Sequence, residues 1–468
     1  MTSTIHFYDG QYLGTPSQGQ LVSFDSLTCG GVDSSRYSER IALRADVAFS
    51  PENVEQLDCF DLDFSTGVTE YEWSRTAQEL FARPNTLHVG IGNTSALDHF
   101  IRYSLYRSLS TLPNTLAPDG AHFIDLLTVC RAITLLRPTT MPFELPVEWG
   151  EQRKRELVQR IYERSSRADT VLALARSIWS SSPKLMSHAV AHSAPAQIGS
   201  LCGLIDGQID SLAALRPVFI CHEHLLADER WGIFLALGTD PQYANIIYMV
   251  DLQCDLSDLV LDAGASVTRF IRTQAHQSDR PIIRVNLNRI PFVSPLGVID
   301  SKTASRLRID APTIKRNAAQ ISLQHDICLA LMEVSGASEN TLKGDPDYQL
   351  YGAEYLESDC HLLNRLHASP RVEWAGLVRT AHDSRITALG DRLIRRLEPA
   401  LLNETEVKEW YAHCASRLMG NADSGRRAEA MKYCSTISGS DAYPIGMRAA
   451  AQHWLKTVEI WNESRNNV

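Results

Sequence analysis

The chain has 468 residues, of which 44% are hydrophobic and 21% are charged, and its formal net charge at pH 7 is −10. A chain of this length can fold into roughly two to four domains with buried cores, and without a run of about eighteen apolar residues it is not predicted to span a membrane. The acidic balance excludes indiscriminate binding of nucleic acid over the whole surface, although it allows a local basic groove.

Strand and helix patterns alternate through the first third of the chain. Alternating apolar residues predict strands, and apolar residues at three- and four-residue spacing predict helices. Their interleaving predicts an α/β domain of about 180 residues. The predicted strands are Ile5–Tyr8, Leu21–Ser26, Ile41–Phe49 and Thr86–Ile91, and the predicted helices are Trp73–Arg83, Ala96–Leu109, Ile124–Leu136 and one or two helices within Arg153–Ser180.

The pattern changes twice in the rest of the chain. Short β-rich runs between about residues 200 and 310 predict a small barrel or open sheet. Beyond about residue 312 the spacing is mostly helical, and Gly344–Asp347 is a plausible break before the last part. The β-rich runs are Arg216–His222, Trp231–Leu237, Asn245–Leu252 and Pro281–Asn288, and the helices are Ile321–Val334, Asp359–His367, Arg385–Leu397, Glu404–Leu418 and Met447–Asn462.

The first strand carries a potential metal-binding pair in which one member is neutral. Side chains two apart on a strand point to the same face, so an Asp-x-Glu pair there can hold one cation between its carboxylates. The segment Phe7–Thr15 keeps Asp9, but Gln11 stands at the partner position. This strand is therefore similar to the active-site strand of a metal-dependent exonuclease in which an amide replaces one carboxylate.

Motifs from Tyr8 to Tyr351 resemble those of exodeoxyribonuclease I, a single-strand-specific 3′→5′ DNA exonuclease of the DEDDh group, and the resemblance covers essentially the whole chain. Each match is weak alone, but their order along the chain makes the resemblance strong. The matching segments are Tyr8–Asp9 with Gly14–Thr15, Gly90–Asn93 with Asp98 and Tyr106–Arg107, Asp125–Leu127 with Arg131–Ala132 and Leu136–Pro138, Ala168–Asp169, Met249–Leu252, Asn288–Arg289 with Pro291, Arg306–Leu307, and Gln349–Tyr351.

The resemblance implies three consecutive domains. An RNase H-like (DnaQ-like) α/β exonuclease domain would occupy residues 1–183, an SH3-like β domain residues 184–343 and a helical domain residues 344–468. In this family the domains enclose single-stranded DNA in a groove, and the enzyme contacts the acidic tail of single-stranded-DNA-binding protein. Single-stranded DNA is therefore the expected partner, with single-stranded-DNA-binding protein or another subunit as a further one.

The residues that would perform the family's chemistry are largely replaced. The resemblance puts the four carboxylates at Asp9, Gln11, Leu97 and Asp169 and the general-base histidine at Arg164. Two divalent ions need hard oxygen ligands and enough negative charge, which an amide and a leucine do not supply. An arginine does not deprotonate, so it cannot activate water. Asp9 and Asp169 would hold a metal weakly or not at all, and the protein is predicted to be catalytically inactive.

Three alternatives remain open for this site. Asp98 could supply a ligand through a shift in register, although neighbours on a helix differ by about 100° in direction. Gln11 could ligate one metal through its amide oxygen. Alternatively, Arg164 could pair with Asp9 and Asp169 in place of a cation, because two buried carboxylates need a counter-charge. No cofactor is expected for an inactive protein, whereas residual activity would require Mg²⁺ or Mn²⁺.

Residues that resemble the family's DNA-handling residues are better retained. Arg131 and Arg137 are six apart on a predicted helix, and a guanidinium suits a phosphate. Arg137 could equally stabilise a helix end, and Trp231 could belong to a core instead of stacking on a base. The weaker DNA-binding candidates are Arg107, Trp231, Asn288 and Arg289.

Histidine-containing segments and cysteines favour structural roles. Cys221–His224 has metal-ligand residue types, but in a strand Glu223 would point away from the two histidines. His188 and His192 share a helix face without the glutamate of a zinc protease motif. The ten cysteines contain no CxxC pair, and the amino terminus lacks a secretory signal, so a cytoplasmic protein with reduced thiols is predicted.

The sequence leaves three functional hypotheses. The first is an inactive exonuclease I-like protein that binds single-stranded DNA or a partner within a DNA-processing or defence assembly. The second is an active 3′→5′ exonuclease with a rebuilt metal site. The third is a scaffold that does not bind DNA, which the acidic net charge allows. The persistence of phosphate-type arginines without the chemical residues favours the first.

Overall fold

A computed structural model of the chain describes its regular elements and most of its core. The described residues are 4–30, 33–47, 66–110, 122–140, 166–205, 208–209, 215–222, 231–240, 243, 245–254, 256, 282–322, 344–352, 355–419, 424–441, 443, 448, 451–452, 455–456 and 458–459. None of the helices within these residues is long and apolar enough to cross a membrane.

The chain divides into two compact units. Unit one contains Met1–Phe7, Asn85–Ser95 and Ala121–Asn340, and unit two contains Tyr8–Pro84, Ala96–Gly120 and Thr341–Val468. Strand β1 contributes residues to both units. The boundaries of the three consecutive domains inferred from the sequence remain a prediction.

The amino-terminal third is α/β, as predicted. Its sheet has the strand order β3-β2-β1-β4-β5. Within unit one, β4 pairs in parallel with the start of β1, and β5 pairs in parallel with β4. Within unit two, β2 and β3 form an antiparallel pair. The elements are β1 (Thr4–Leu13), β2 (Gln20–Gly30), β3 (Asp33–Arg40), α1 (Glu70–Phe81), β4 (Thr86–Gly90), α2 (Asp98–Arg107), β5 (His122–Asp125) and α3 (Leu126–Leu136).

The third strand lies earlier than predicted. Asp33–Arg40 forms β3, whereas the predicted strand Ile41–Phe49 is reduced to a single bridge between Ile41 and Val68, with residues 48 and 49 outside the described part. The polar β3 is an edge strand, which does not need an apolar alternation. The N–H of Ala42 still donates to the backbone carbonyl of Val68, but the side-chain amide of Gln20 donates to the carbonyl of Ala42 and accepts from the N–H of Arg44, in place of a continued strand pairing.

Two predicted helices begin later than their apolar spacing indicated. Ile124 belongs to strand β5, and Asp125 caps α3 by accepting a hydrogen bond from the backbone N–H of Leu127. In the second case the segment Asn93–Leu97 forms a π-helical turn before α2 begins at Asp98. Single π turns of this kind widen a helix locally and occur often at functional sites.

The middle of unit one contains the predicted second sheet. Its five antiparallel strands have the order β11-β10-β9-β8-β12 and enclose an apolar core. Of the predicted helix Ile321–Val334, the structure describes only the first two residues, which end α8. The elements are α4 (Arg167–Ser181), α5 (Pro183–Ala191), α6 (Pro195–Leu201), β6 (Leu204–Ile205), β7 (Gln208–Ile209), β8 (Val218–Cys221), β9 (Trp231–Thr239), β10 (Ile246–Asp251), β11 (Ile282–Asn286), β12 (Phe292–Pro295), α7 (Ser301–Arg306) and α8 (Ala311–Ser322).

The carboxyl-terminal part of unit two is helical, as predicted. Two helices were missed. Trp374–Val378 has only five residues, too few to show a periodic pattern, and the apolar residues of Ser424–Ser438 are spread around the helix circumference instead of forming a stripe. The predicted helix Met447–Asn462 lies mostly outside the described residues. The helices are α9 (Glu357–Ala368), α10 (Trp374–Val378), α11 (Ser384–Leu397), α12 (Glu404–Met419) and α13 (Ser424–Ser438).

A buried cluster of charges joins the early and late segments of unit two. Glu70 lies between Arg44 and Arg107, with Oε1 2.7 Å from Arg107 Nη2. Burial by itself would raise the pKa of Glu70, but the charges of Arg107 and Arg44 outweigh it and lower this pKa to about 2. The other members contact one another around two carboxylates that are fully inaccessible to solvent. They are Asp46, Asp345, Asp347, Arg392, Arg396 and Arg417.

Candidate functional site

The residues predicted to form the degenerate metal site begin on β1 in unit two. The start of α2 packs over one face of this strand. The hydroxyl of Tyr8 donates a hydrogen bond of 2.6 Å to Asp98 Oδ1. A Cβ added at Gly10 would lie 3.1 Å from the Cδ1 atom of Leu97. Leu97 and Asp98 therefore both reach the Tyr8 and Gly10 face of the strand.

Asp9 and Gln11 occupy the alternate positions of β1. Because successive side chains on a strand point to opposite faces, these two are directed away from the face that carries Tyr8. Both are nearly buried, with 6% and 9% of their surface exposed. The amide oxygen of Gln11 accepts a hydrogen bond of 3.0 Å from the hydroxyl of Ser23 on β2. The oxygen that could ligate a cation is already bonded to the protein.

Leu97 is part of the core and not a vacant ligand position. Its side chain is 1% exposed, and it ends the π turn that precedes α2. The next residue, Asp98, is 7% exposed and is the first residue of α2. Its bond to Tyr8 places it beside a phenol, which is consistent with the expectation that it points away from Asp9. The use of Asp98 as a substitute ligand remains a prediction.

The second retained carboxylate, Asp169, lies in unit one. It stands in the first turn of α4, where Ser166 caps the helix. The Ser166 hydroxyl donates to Asp169 Oδ2 over 2.9 Å, and the backbone N–H of Asp169 donates to the Ser166 hydroxyl. The Ser166 hydroxyl therefore caps one backbone N–H at the start of α4 and also bonds to the Asp169 carboxylate. Arg164 lies outside the described residues, so its pairing with the carboxylates also remains a prediction.

Asp125 holds the glycine-rich turn that precedes α2. Its carboxylate accepts hydrogen bonds from the backbone N–H of Gly92 at 2.8 Å and from the hydroxyl of Thr94 at 2.8 Å. It also accepts from the N–H of Leu127 at 2.9 Å. The carboxylate is therefore saturated with protein donors. The sequence placed Asp125 in a motif, but nothing in the sequence indicated that its carboxylate holds the turn at Gly92 and Thr94.

The donor set does not fit two divalent metal ions. Among the residues that the structure describes, no group of three or more histidine, cysteine, aspartate or glutamate side chains is placed to hold a metal. Gln11 offers a neutral oxygen, and Leu97 offers none. Mg²⁺ requires a nearly complete octahedral shell of oxygen atoms. These residues do not supply that shell or the negative charge that two cations need.

Arg107 is not available to nucleic acid, which corrects the interpretation made from the sequence. Its side chain is inaccessible to solvent and forms an ion pair with Glu70. Its Nη1 atom donates to the backbone carbonyls of Pro16 and Ser17 in the turn that follows β1. Arg107 therefore fixes this turn inside unit two. Its partners are distant in sequence, so spacing along the chain does not indicate them.

The two arginines of α3 differ in accessibility. Arg131 is 4% exposed and lies near Cys221, where its charge acts on the thiol, so it is a buried residue and not the surface contact that the sequence suggested. Arg137 ends α3 and keeps 37% of its side chain exposed. It lies 3.6 Å from a carboxylate oxygen of Asp300 and donates to the carbonyls of Leu136 and Val298. Arg137 therefore stabilises the helix end.

The remaining DNA-binding candidates lie in the second sheet of unit one. Trp231 is 8% exposed and stacks on Phe219 with ring centroids 5.9 Å apart. It therefore belongs to the core, and the suggestion that it stacks on a base is corrected. Asn288 is exposed and Arg289 is partly exposed in a short 3₁₀ turn. Together with Arg137, these two keep accessible surface that contact with DNA would require.

The histidine-containing segments form no metal site in the described part of the chain. His222 is buried, while residues 223 and 224 lie outside the described residues. His188 and His192 border a small cleft whose other lining residues are mostly apolar. Burial lowers the pKa of His188, whose Nε2 atom is bonded to the carbonyl of Val293 at 2.8 Å.

Comparison with known proteins identifies relatives along the whole chain. The family models described as the exonuclease I SH3-like domain and the exonuclease I C-terminal domain match residues 209–335 and 344–464, together more than half of the chain. Exodeoxyribonuclease I of Buchnera aphidicola (subsp. Schizaphis graminum) is 24% identical over 368 residues, which is 75% of this chain and 73% of that protein.

Solved structures share the complete fold. Exonuclease I of E. coli in complex with a dA16 oligonucleotide has a TM-score of 0.80 at 19% identity, with 99% of each chain covered. A complex of SSB and exonuclease I with the inhibitor CFAM has a TM-score of 0.81 at 18% identity, covering 98% of this chain and all of the other. The nuclease-type, SH3-like and helical carboxyl-terminal parts of the fold are thereby confirmed.

Proposed function

Because the chain is an exonuclease I-like protein, we propose that it binds single-stranded DNA at 3′ ends without degrading it. One observation carries this proposal. Oxygen atoms at two of the four metal-ligand positions that the resemblance implies, and of the possible substitute Asp98, accept hydrogen bonds from hydroxyl groups of the protein itself. Tyr8 donates to Asp98, Ser23 donates to Gln11, and Ser166 donates to Asp169.

The loss of chemistry follows from charge and ligand type. A two-metal nuclease places two cations about 4 Å apart to align water and stabilise the leaving oxygen. Of the four carboxylate positions that the resemblance implies, only Asp9 and Asp169 remain acidic. Leu97 is buried in an apolar contact, so a neighbouring side chain would have to move before water and a metal ion could enter. We infer that hydrolysis has been lost.

Arg164 stands at the position of the expected histidine in this proposal. A guanidinium does not deprotonate, so the replacement removes the general base. The proposed loss of hydrolysis therefore has a second cause besides the loss of carboxylates.

The proposed partners come from the relatives and from the accessible residues. A related exonuclease I holds a dA16 oligonucleotide, and another forms a complex that contains SSB. Asn288 and Arg289 stay accessible in unit one for contact with a DNA strand. We propose single-stranded DNA, and single-stranded-DNA-binding protein or another subunit of a DNA-processing or defence assembly, as the partners of a cytoplasmic protein.

The competing functions are an active exonuclease with a rebuilt metal site and a scaffold without affinity for DNA. Fluorescence anisotropy of a labelled single strand, measured at several salt concentrations with and without Mg²⁺, separates them. We expect binding that weakens as salt increases and does not require Mg²⁺, because phosphate contacts release counterions. The absence of binding at low salt would support the scaffold, and shortening of the strand would support the active enzyme.

A further inference from the structure

Helices α7 and α8 in unit one carry a concentration of basic residues. Between residues 302 and 316 the chain has five basic residues and one acidic residue, Asp310, in a protein whose net charge is −10. All five are exposed. Arg306 donates to the backbone carbonyl of Leu135, and the other four form what we call the basic face. The four are Lys302, Arg308, Lys315 and Arg316.

The inner sides of both helices are fixed to the body of unit one. Thr303 donates to the carbonyl of Leu136 at 3.1 Å, which joins α7 to the end of α3. Asn317 donates from its amide to the carbonyl of Leu252 at 3.0 Å. Ile314 is buried in the core of the second sheet. The basic face is therefore held in one orientation by contacts on the opposite side of each helix.

The charges of the basic face are not neutralised by neighbours. Lys302, Arg308 and Lys315 make no ion pair with any residue within the described ranges. The two nearby acids are used in helix starts instead. Asp300 accepts a hydrogen bond from the backbone N–H of Thr303 at 2.7 Å, and Asp310 accepts one from the hydroxyl of Thr313 at 2.6 Å. The cations are thus available to an external anion.

Arg308 occupies a backbone position that usually belongs to glycine. Its φ angle is +53°, and it directly follows the last turn of α7. Its N–H donates to the carbonyl of Ser305 at 3.2 Å, and the N–H of Ile309 donates to the carbonyl of Ala304 at 2.9 Å. This is the Schellman arrangement, in which glycine is favoured because a Cβ is strained there. An exposed arginine at a position where glycine costs less motivates a test of its side chain.

We propose that the basic face binds successive phosphates of single-stranded DNA, an inference that rests on the proposed function. Binding of an acidic peptide usually adds apolar anchors to its charges. No large hydrophobic side chain of residues 301–322 is exposed. A row of cations without apolar contacts instead suits a repeating phosphate backbone, which is read by charge and not by sequence.

Arg308→Gly gives a test that separates function from folding. Glycine relieves the strain, so this variant is expected to fold with an equal or higher midpoint of thermal unfolding while it binds oligo(dT) more weakly. Lys315→Gln combined with Arg316→Gln removes two further cations. The slope of log affinity against log salt is expected to become less steep by about 0.7 for each phosphate contact that is lost.

Arg379→Gly is the matched control. Arg379 is also an exposed arginine at the end of a short helix, but its φ angle is −69°, so glycine relieves no strain there. The control is expected to unfold at a lower temperature and to keep the salt slope of the unmodified protein. The comparison therefore corrects for the change in net charge.

The outcomes distinguish this inference from the proposed function. If the unmodified protein binds oligo(dT) and the basic-face variants keep its affinity and salt slope, the inference is wrong while the proposed function stands. If those variants bind oligo(dT) normally but lose binding to a polyglutamate peptide, the face recognises acidic protein instead. If the unmodified protein does not bind oligo(dT), both proposals fail together.

Discussion

The hydroxyl of Tyr8 donates to the carboxylate of Asp98 across 2.6 Å, next to the strand position where a nuclease would hold its metal ions. The bond links β1 to the first residue of α2, and both groups are buried. A carboxylate that accepts a hydrogen bond from a buried phenol is stabilised without a cation. The protein thus supplies a donor for the one acidic side chain that could replace Leu97.

Replacement of Tyr8 by phenylalanine tests the strength of this bond. Tyr8→Phe removes one hydrogen bond to a charged group, so we expect the free energy of unfolding to fall by about 1.5–3 kcal/mol. Urea unfolding followed by circular dichroism measures the change. Tyr411→Phe is the control, because the Tyr411 ring is 38% exposed and its loss of a hydroxyl should have little effect. Equal stability of the two variants would contradict a role for the bond.

Restoration of an acid at position 97 is expected to destabilise the protein. Leu97 is 1% exposed and packs against β1 at Gly10, so Leu97→Asp places a carboxylate in an apolar contact. A loss of about 2–4 kcal/mol in the free energy of unfolding is expected. Leu97→Met conserves volume and is the control, with an expected loss below about 1.5 kcal/mol. If Leu97→Asp were as stable as the unmodified protein, position 97 would be accessible to water and to a metal ion.

Full restoration extends this test to the chemistry. A variant with Gln11→Glu, Leu97→Asp and Arg164→His would regain the carboxylates and the base that the resemblance implies. We expect it to degrade a single strand with Mg²⁺ if the path of DNA to β1 is intact, because positioning and metal charge are then both available. Continued inertness of a folded variant that still binds DNA would count against an intact path.

Removal of Arg107 should affect folding and not the recognition of DNA. Arg107→Ala leaves Glu70 without one of its two buried arginine partners, and breaking such a pair costs about 3–5 kcal/mol. Arg75→Ala removes an exposed arginine from α1 and should change stability by less than about 0.5 kcal/mol. Salt titrations of DNA binding at a temperature where all variants are folded should give equal slopes. If only Arg107→Ala lowered the slope of log affinity against log salt, Arg107 would have to contact a DNA phosphate.

Two carboxylates that pair with arginines, the buried Glu70 and the partly exposed Asp345, make stability depend on acidic pH. Nearby arginines lower the pKa of Glu70 from 4.5 to about 2, and despite burial the arginines around Asp345 lower its pKa from 3.8 to about 2. Because these pKa values are depressed in the folded state, their contribution is fully present above the unfolded values and is lost as pH falls from about 4.5 towards 2. Urea unfolding between pH 6 and pH 2.5 should show this decline, and Glu70→Gln should flatten it. If the free energy of unfolding of Glu70→Gln fell by the same amount over this pH range, groups other than Glu70 would cause the decline.

Local patterns predicted the fold better than they predicted the environment of single residues. Alternation and helical spacing located the two sheets and most helices, because those patterns report burial on one face. They misplaced the third strand, since β3 is a polar edge strand whose partner is β2. Arg107 and Trp231 were assigned to DNA because their residue types suit phosphates and bases. Their actual partners, Glu70 and Phe219, are identified only by the folded chain.

The central claim is that the protein holds single-stranded DNA and does not cut it. A 5′-labelled oligo(dT) incubated with excess protein in Mg²⁺, and separately in Mn²⁺, tests it most directly when anisotropy confirms that the strand is bound. The account predicts that the bound strand keeps its full length after hours of incubation. A ladder of products shortened from the 3′ end, formed by the unmodified protein and absent with Asp9→Asn, would contradict it.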